Sequence, residues 1–131
     1  MAKLKRRVKK TLSVLGCEEV ELSIWIADDD SMRNLHREYF GIDEPTNVIS
    51  FSQREGAFCE VETEMLGDIV IGFETARRDA EEAGKDVGDE LFFLAIHGML
   101  HLLGYDHEGE RAADGPAMEA REEELYRMVL G

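Results

Sequence analysis

Three of the chain's four histidines fall in one short run, His97-Gly98-Met99-Leu100-His101-Leu102-Leu103-Gly104-Tyr105-Asp106-His107. That spacing constrains the whole segment. The stretch before it, Glu90-Leu91-Phe92-Phe93-Leu94-Ala95-Ile96, is apolar and free of helix breakers, which predicts a continuous helix carrying His97 and His101. Residues four apart on a helix sit about 40° apart around the axis and about 6 Å along it, so both imidazoles reach one point. Gly104 is expected to end the helix in a left-handed conformation and turn the chain back. A third imidazole, His107, then closes on the same point. Three neutral nitrogen ligands that leave a fourth position for water form a catalytic rather than a structural zinc site. A lone histidine on an apolar helix is usually a packed core residue, but three in register with a glycine stop point to a metal. Met99, Leu100, Leu102 and Leu103 are read as core that orients these ligands.

The same segment matches the metalloprotease pattern H-E-x-x-H-x-x-G-x-x-H at every defined position except one, where the glutamate is replaced by Gly98. In such proteases that glutamate is the general base that activates water beside the metal. The ligand geometry survives here without the residue on which peptide hydrolysis depends. A protease is therefore the runner-up enzyme.

The run H-G-x-L-H-L-x-G-Y-D-H resembles the signature of the YbeY family, bacterial endoribonucleases of ribosomal RNA maturation. Tyr39 to Phe51, Y-F-G-I-D-E-P-T-N-V-I-S-F, is similar to the family's Y-R-G-x-D-x-P-T-(D/N)-V-(L/I)-S-F, and Leu66 to Ile71 resembles its L-G-D-(I/L)-V-I strand. With a charged C-terminal helix containing Met118-Glu119-Ala120, the likeness covers most of residues 20 to 130. It implies a zinc-dependent, single-strand-specific endoribonuclease that processes the 3' end of 16S ribosomal RNA and serves ribosome quality control. A ribosomal protein or a ribosome-associated GTPase is the implied partner.

Two departures stand out. Where the family has L-N-x-x-Y-R, this chain has Leu35-His36-Arg37-Glu38-Tyr39-Phe40. The family arginine, regarded there as functionally important, is thus Phe40, which cannot pair with phosphate. Arg37, one helical turn earlier, is the candidate substitute; as a residue of an amphipathic helix it can equally be a solvated charge. Family members also commonly begin with a strand before the first helix, whereas this sequence opens almost directly on a helix, so the sheet is expected to lack an edge strand or the start to lie upstream.

At 131 residues and 44% hydrophobic content the chain suits one globular domain, residues 1 to 131, with a single core. No apolar run approaches about twenty residues, and the N-terminus lacks the apolar stretch and cleavage site of a signal peptide, so the expected location is the cytoplasm with no membrane contact. Cys17 and Cys59 have no C-x-x-C spacing and are expected to be free thiols. Net charge is −14, yet Lys3, Lys5, Arg6, Arg7, Lys9 and Lys10 precede any acid. An acidic surface repels polyanions, so RNA contact is expected at the basic first helix or around the metal, or through a partner. Leu4, Val8, Leu12 and Leu15 form that helix's apolar stripe and put its cations toward solvent, where they serve either RNA or solvation alone.

Helix is expected over residues 2 to 15 and strand over Val20 to Ile26, which alternates in polarity. Asp29 or Asp30 is expected to cap a second helix through Tyr39, with a loop from Gly41 to Thr46. Asn47 to Phe51 and Asp68 to Gly72 read as strands, with a turn at Gly56 and a weak strand over Ala57 to Val61 between them. Phe73 to Gly84 reads as helix, Asp86 or Asp89 starts the histidine helix, and Gly115-Pro116 precedes a last helix through Leu130. The implied class is α+β, a small mixed sheet covered by the histidine helix.

For the chemistry, a metal held by three imidazoles brings the pKa of its water toward about 7. For RNA cleavage the attacking oxygen is either that hydroxide or the substrate's 2'-OH. Candidate catalytic residues are His97, Asp106 as an acceptor or proton carrier, and Arg37 at phosphate; the metal ligands are His97, His101 and His107. Asp68, at a strand start, is a further acid or base candidate, and Asp106 can instead satisfy turn backbone. Ser50 and Thr46 are candidate phosphate contacts or strand and turn hydroxyls. A ribosome-associated binding protein with a structural metal remains the third alternative.

Overall fold

A computed structural model describes residues 2–16, 21–52, 65–102 and 115–130. Among the described residues, five helices and three strands run α1 (Ala2–Val14), β1 (Glu21–Ala27), α2 (Asp29–Phe40), β2 (Val48–Ser52), β3 (Met65–Gly72), α3 (Phe73–Ala83), α4 (Val87–Leu102) and α5 (Gly115–Leu130). The sheet has the order β1-β3-β2, with β1 parallel and β2 antiparallel to β3. This is the mixed α+β arrangement that the interleaved patterns predict. The turn at Gly56, the strand expected over Ala57 to Val61, Cys17, Cys59 and the Gly104 helix stop lie outside the described residues.

Alternation along the strands divides the core in two. Ile69 and Ile71 of β3, fully buried, face α4 in a cluster with Leu4, Val8 and Leu12 of α1 and Leu125 of α5. Val70, between them, points to the other face, where it packs with Ile49 of β2 and Met32 of α2. Helices α1, α4 and α5 therefore cover one side of the sheet and α2 the other. Leu4, Val8 and Leu12 of the predicted stripe are buried, Leu15 lies just past the end of α1 and is partly buried, and Lys3, Lys5, Arg6, Lys9 and Lys10 are exposed.

Helix α4 lies very close to β3. A Cβ on Gly98 would stand 3.0 Å from each of Ile69 Cδ1, Cγ1 and Cγ2, and a Cβ on Gly67 would stand 2.4 Å from the Phe51 carbonyl oxygen and 2.8 Å from a methyl of Leu102. Gly98 lies on Ile69 and Leu102 on Gly67, so the helix and strand run in opposite senses. Position 98 is thus a buried helix-to-sheet contact, which explains in packing terms why the protease glutamate has no place there.

Polar clamps fix the remaining helices. Arg7 of α1 pairs with Asp89 at 2.9 Å and lies over the Phe92 ring, tying α1 to the start of α4. Lys85 donates to Glu90 at 2.9 Å and sits 4.7 Å from the ring centroids of both Phe93 and Tyr126. Burial pulls the Lys85 pKa down, but the hydrogen bond and charge of Glu90, with Tyr126, outweigh it and leave the group raised. The start of α4 is bound through Asp86, which accepts from the Asp89 N–H at 3.2 Å.

The α2 cap differs from expectation by one residue. Asp28, not Asp29 or Asp30, has the extended conformation of a cap and accepts from the Ser31 N–H at 2.8 Å. Asp29 is instead taken up by α3, accepting from Thr75 at 3.0 Å and Arg78 at 3.0 Å. Gly41 and Gly84 close α2 and α3 in left-handed conformations, with φ of 73° and 66°, the conformation that glycine adopts most readily past a helix end.

Two tests follow from this packing. Gly98→Ala should lower stability by about 1–2 kcal/mol in urea unfolding, because overpacking against Ile69 exceeds the helix propensity gained. The loss should shrink in an Ile69→Val background, and an equal loss in both backgrounds would place the strain elsewhere. The second test concerns acid. The Ser31 N–H and hydroxyl hold the Asp28 carboxyl below its ordinary pKa, and the Arg33 hydrogen bond does the same for Asp43. Their stabilising effect is complete above the ordinary carboxylate pKa of about 3.9 and lost as pH falls through the lower folded value. The stability gap between the parent chain and Asp28→Ala should therefore be full at neutral pH and close in strong acid; a gap that widens on acidification would reverse the assignment.

Candidate metal centre

The apolar character of α4 buries Leu94, Ala95, Ile96, Gly98, Met99 and Leu100 around His97. The two histidines themselves lie on the flank of the helix that faces α5. Their rings meet edge to face, 4.7 Å between centroids at 71°, and their Nε2 atoms are 3.1 Å apart. Geometry at i and i+4 thus does what the spacing predicts: it brings two imidazole nitrogens to one place.

The orientation of His97 comes from a residue the histidine motif does not contain. Glu122 of α5, its side chain 8% exposed, is hydrogen-bonded through Oε1 to His97 Nδ1. Aromatic packing sets this register. Phe93, one turn before His97, packs edge-on to Tyr126, one turn after Glu122, with centroids 5.4 Å apart. Since Phe93-His97 and Glu122-Tyr126 are both four-residue steps on antiparallel helices, the first contact dictates the second. With the carboxylate as acceptor, Nδ1 is the donor, and the ring's other nitrogen, Nε2, is the one turned toward His101.

That donor set fits a divalent metal. Nitrogen ligands at about 2.0–2.1 Å around a tetrahedral ion lie about 3.3 Å from each other, close to the observed 3.1 Å. Imidazole is a suitable ligand for zinc, copper, iron or nickel. A carboxylate behind the ligating histidine is the usual way of fixing its tautomer and raising its basicity. No group of three or more metal-binding side chains occurs among the described residues. His107 and Asp106, the third ligand and the acceptor named from the sequence, lie outside them.

The other candidates are distributed over both sides of the sheet. Ser50 pairs in register with Ile69 and so shares the α4 side. Arg37 is on α2, on the opposite side, and its guanidinium is engaged with Asn34 at 2.9 Å and Asp43 at 3.5 Å. Asp68 follows Gly67 in β3 and lines a cleft on that same α2 side with Trp25, Tyr39 and Phe51. Neither is brought to the histidine pair. Phe40 is 55% exposed and packs edge-on to His36. Glu122 is the site residue that the sequence analysis did not single out. Its trace is an acid on the stripe Met118, Glu122, Leu125, Val129, where the helical period calls for an apolar residue.

The family described as Endoribonuclease YbeY matches residues 1–129 of the chain. A Syntrophus aciditrophicus protein named Endoribonuclease YbeY is 44% identical over 131 residues, spanning 100% of this chain and 82% of the relative. A Geobacter sulfurreducens protein of the same name is 45% identical over 125 residues, 95% of this chain and 83% of the relative. Among solved structures, the solution structure of TM1509 from Thermotoga maritima superposes with a TM-score of 0.70 at 25% identity, covering 98% of this chain and 79% of that one. With a family match along nearly its full length and relatives of this similarity, the chain belongs to the YbeY family of endoribonucleases.

Proposed function

We propose that the chain is a zinc-dependent endoribonuclease that cuts single-stranded RNA in ribosomal RNA maturation, acting at the 3' end of 16S RNA. The observation that carries the metal dependence is the Nε2 pair of His97 and His101, oriented from behind by Glu122. His97, His101 and His107 would hold the ion. When bound, zinc supplies Lewis-acid polarisation of a phosphoryl oxygen and acidifies a neighbouring water.

The chain's own groups do the rest. Glu122 keeps the His97 Nδ1 proton in place, so that Nε2 remains a donor of its lone pair. The Gly98 contact keeps α4 from rotating and with it the direction of both rings. Asp106, adjacent to His107 in sequence, is assigned to orienting a ligand or carrying a proton. Arg37, across the sheet, is assigned to RNA binding away from the reacting bond, as are the exposed cations of α1. Among the described residues no helix is long and apolar enough to cross a membrane, in keeping with action on ribosomes in the cytoplasm. A ribosomal protein or ribosome-associated GTPase that delivers this acidic chain to RNA is part of the same proposal.

His97→Ala and His101→Ala should each reduce bound zinc from one equivalent to a small fraction and cut RNA cleavage by about a hundredfold or more, with circular dichroism unchanged. Retained cleavage in a metal-free variant would remove the metal from the mechanism. Glu122→Gln, which keeps shape but weakens the acceptor, should lower zinc affinity or cleavage by about 10- to 100-fold. Zinc affinity equal to the parent's in both Glu122→Gln and Glu122→Ala would reduce Glu122 to a packing residue.

A further inference from the structure

The side of the sheet away from the histidines carries a cleft of about 530 Å³ that the chemistry above does not use. It opens between α2 and the edge strand β1. Its lining includes Trp25, Tyr39, Phe51, Val70 and Asp68. Trp25 is 62% exposed and Tyr39 is 59% exposed, although both border a well-packed cluster. Tyr39 stands edge-on to Phe51, with centroids 5.0 Å apart at 70°. Large aromatic rings left in water on one wall of a cleft are costly to a chain unless something covers them.

We propose that this cleft binds an unpaired nucleobase of single-stranded RNA, stacked on Trp25 with its hydrogen-bonding edge toward Asp68. The proposal rests on RNA as the substrate named above and adds where the strand is held outside the histidine centre. Three features select a base as occupant.

First, the rings suit a flat π-system. Indole and phenol faces accept any base and need no cation, which matters in a chain of net charge −14. Second, Asp68 is the one charged side chain among the described lining residues. Trp25 pairs in register with Val70, and Asp68 is two residues back on the same face of β3. Such diagonal neighbours stand about 7–8 Å apart, leaving room for a base on the ring to reach the carboxylate with its edge. A carboxylate accepts hydrogen bonds from base N–H groups. Guanine offers two adjacent donors, cytosine and adenine an amino group, and uracil a single N–H flanked by two carbonyls that repel the acid. The expected order is guanine first and uracil last. Third, α2 supplies the only exposed arginines that border this side among the lining helix's residues, Arg33 and Arg37, both paired with Asp43. Phosphate contacts at the cleft itself are therefore few, and stacking carries the affinity there.

Because the cleft and the histidine pair lie on opposite sides of the sheet, a strand occupying both passes around the sheet, and the stacked base is several nucleotides from the bond being cut. A site of this kind selects single strands, since a base inside a duplex cannot present both its face and its pairing edge.

Trp25 is the chain's one tryptophan, so its fluorescence reports this cleft alone. Titration of the metal-loaded protein with guanosine 5'-monophosphate should quench that emission at lower concentration than uridine 5'-monophosphate, and ribose 5-phosphate should leave it unchanged. With a labelled single-stranded oligonucleotide read by fluorescence anisotropy, Trp25→Ala should weaken binding by about five- to a hundredfold, and Trp25→Phe by much less. Mononucleotide quenching, which reports the cleft without the α1 cations, should depend only weakly on salt. As Trp25 is largely exposed, both variants should unfold at the parent's temperature. An unchanged affinity in Trp25→Ala, or quenching equal for ribose 5-phosphate and the nucleotides, would overturn the proposal. A protein that shows base-dependent quenching yet cleaves no RNA with zinc bound would leave the cleft standing and sink the nuclease mechanism; one that cleaves with no dependence on Trp25 would do the reverse.

Discussion

Helix α4 sits so close to strand β3 that even a Cβ at position 98 would crowd Ile69. With three Ile69 atoms at 3.0 Å from where a Cβ would be, the helix is seated directly on the strand. One glycine thereby fixes both the height of the helix and its rotation. The rotation decides everything downstream, because His97 precedes Gly98 by about 100° around the axis. With Gly98 facing the sheet, His97 and His101 are turned along the layer toward α5. Leu102 on Gly67 repeats the contact one turn later and prevents the helix from pivoting. Close packing of this kind is unforgiving, since interiors relax only partly around an added methyl group.

The second helix of the layer completes what the first begins. Tyr126 stacks on Phe92 and meets Phe93 edge-on, while the Lys85 ammonium lies over the Phe93 and Tyr126 rings. This aromatic and cationic knot lies one helical turn from the Glu122–His97 pair. The polar pair inherits its alignment from apolar neighbours, so a buried carboxylate can be held at the ring nitrogen without help from solvent. Glu122 is 6% exposed overall, a position that an acid occupies only when it is paired.

Much of this was legible in the chain before any fold was known. The two-period patterns separate strand from helix because burial on one face leaves a regular trace, as in Val8, Leu12 and Ile69, Ile71. The histidine pair was legible for the same reason, being a local four-residue step. Glu122 was not, because its partner is far away in sequence and the contact depends on the angle between two helices. The cap of α2 falls on Asp28 rather than on Asp29 or Asp30, a distinction the sequence does not carry because three consecutive aspartates offer the same hydrogen-bonding chemistry. What distinguishes them is tertiary: Asp29 is drawn off by Thr75 and Arg78 of α3. Similarly, Asp68 reads as a candidate acid until the strand's alternation assigns it to the face that α4 does not cover.

The origin of Glu122 on α5 has a consequence for the order of events in a growing chain. Both histidines are synthesised before the carboxylate that orients them, and α4 can rest on β3 as soon as it has formed. Until α5 swings into place, the His97 ring has no carboxylate on Nδ1 to choose between its two tautomers. The oriented imidazole is thus complete only once α5, the last helix of the chain to be synthesised, has docked. Maturation of the site is in this sense gated by docking of a helix that bears none of the histidines.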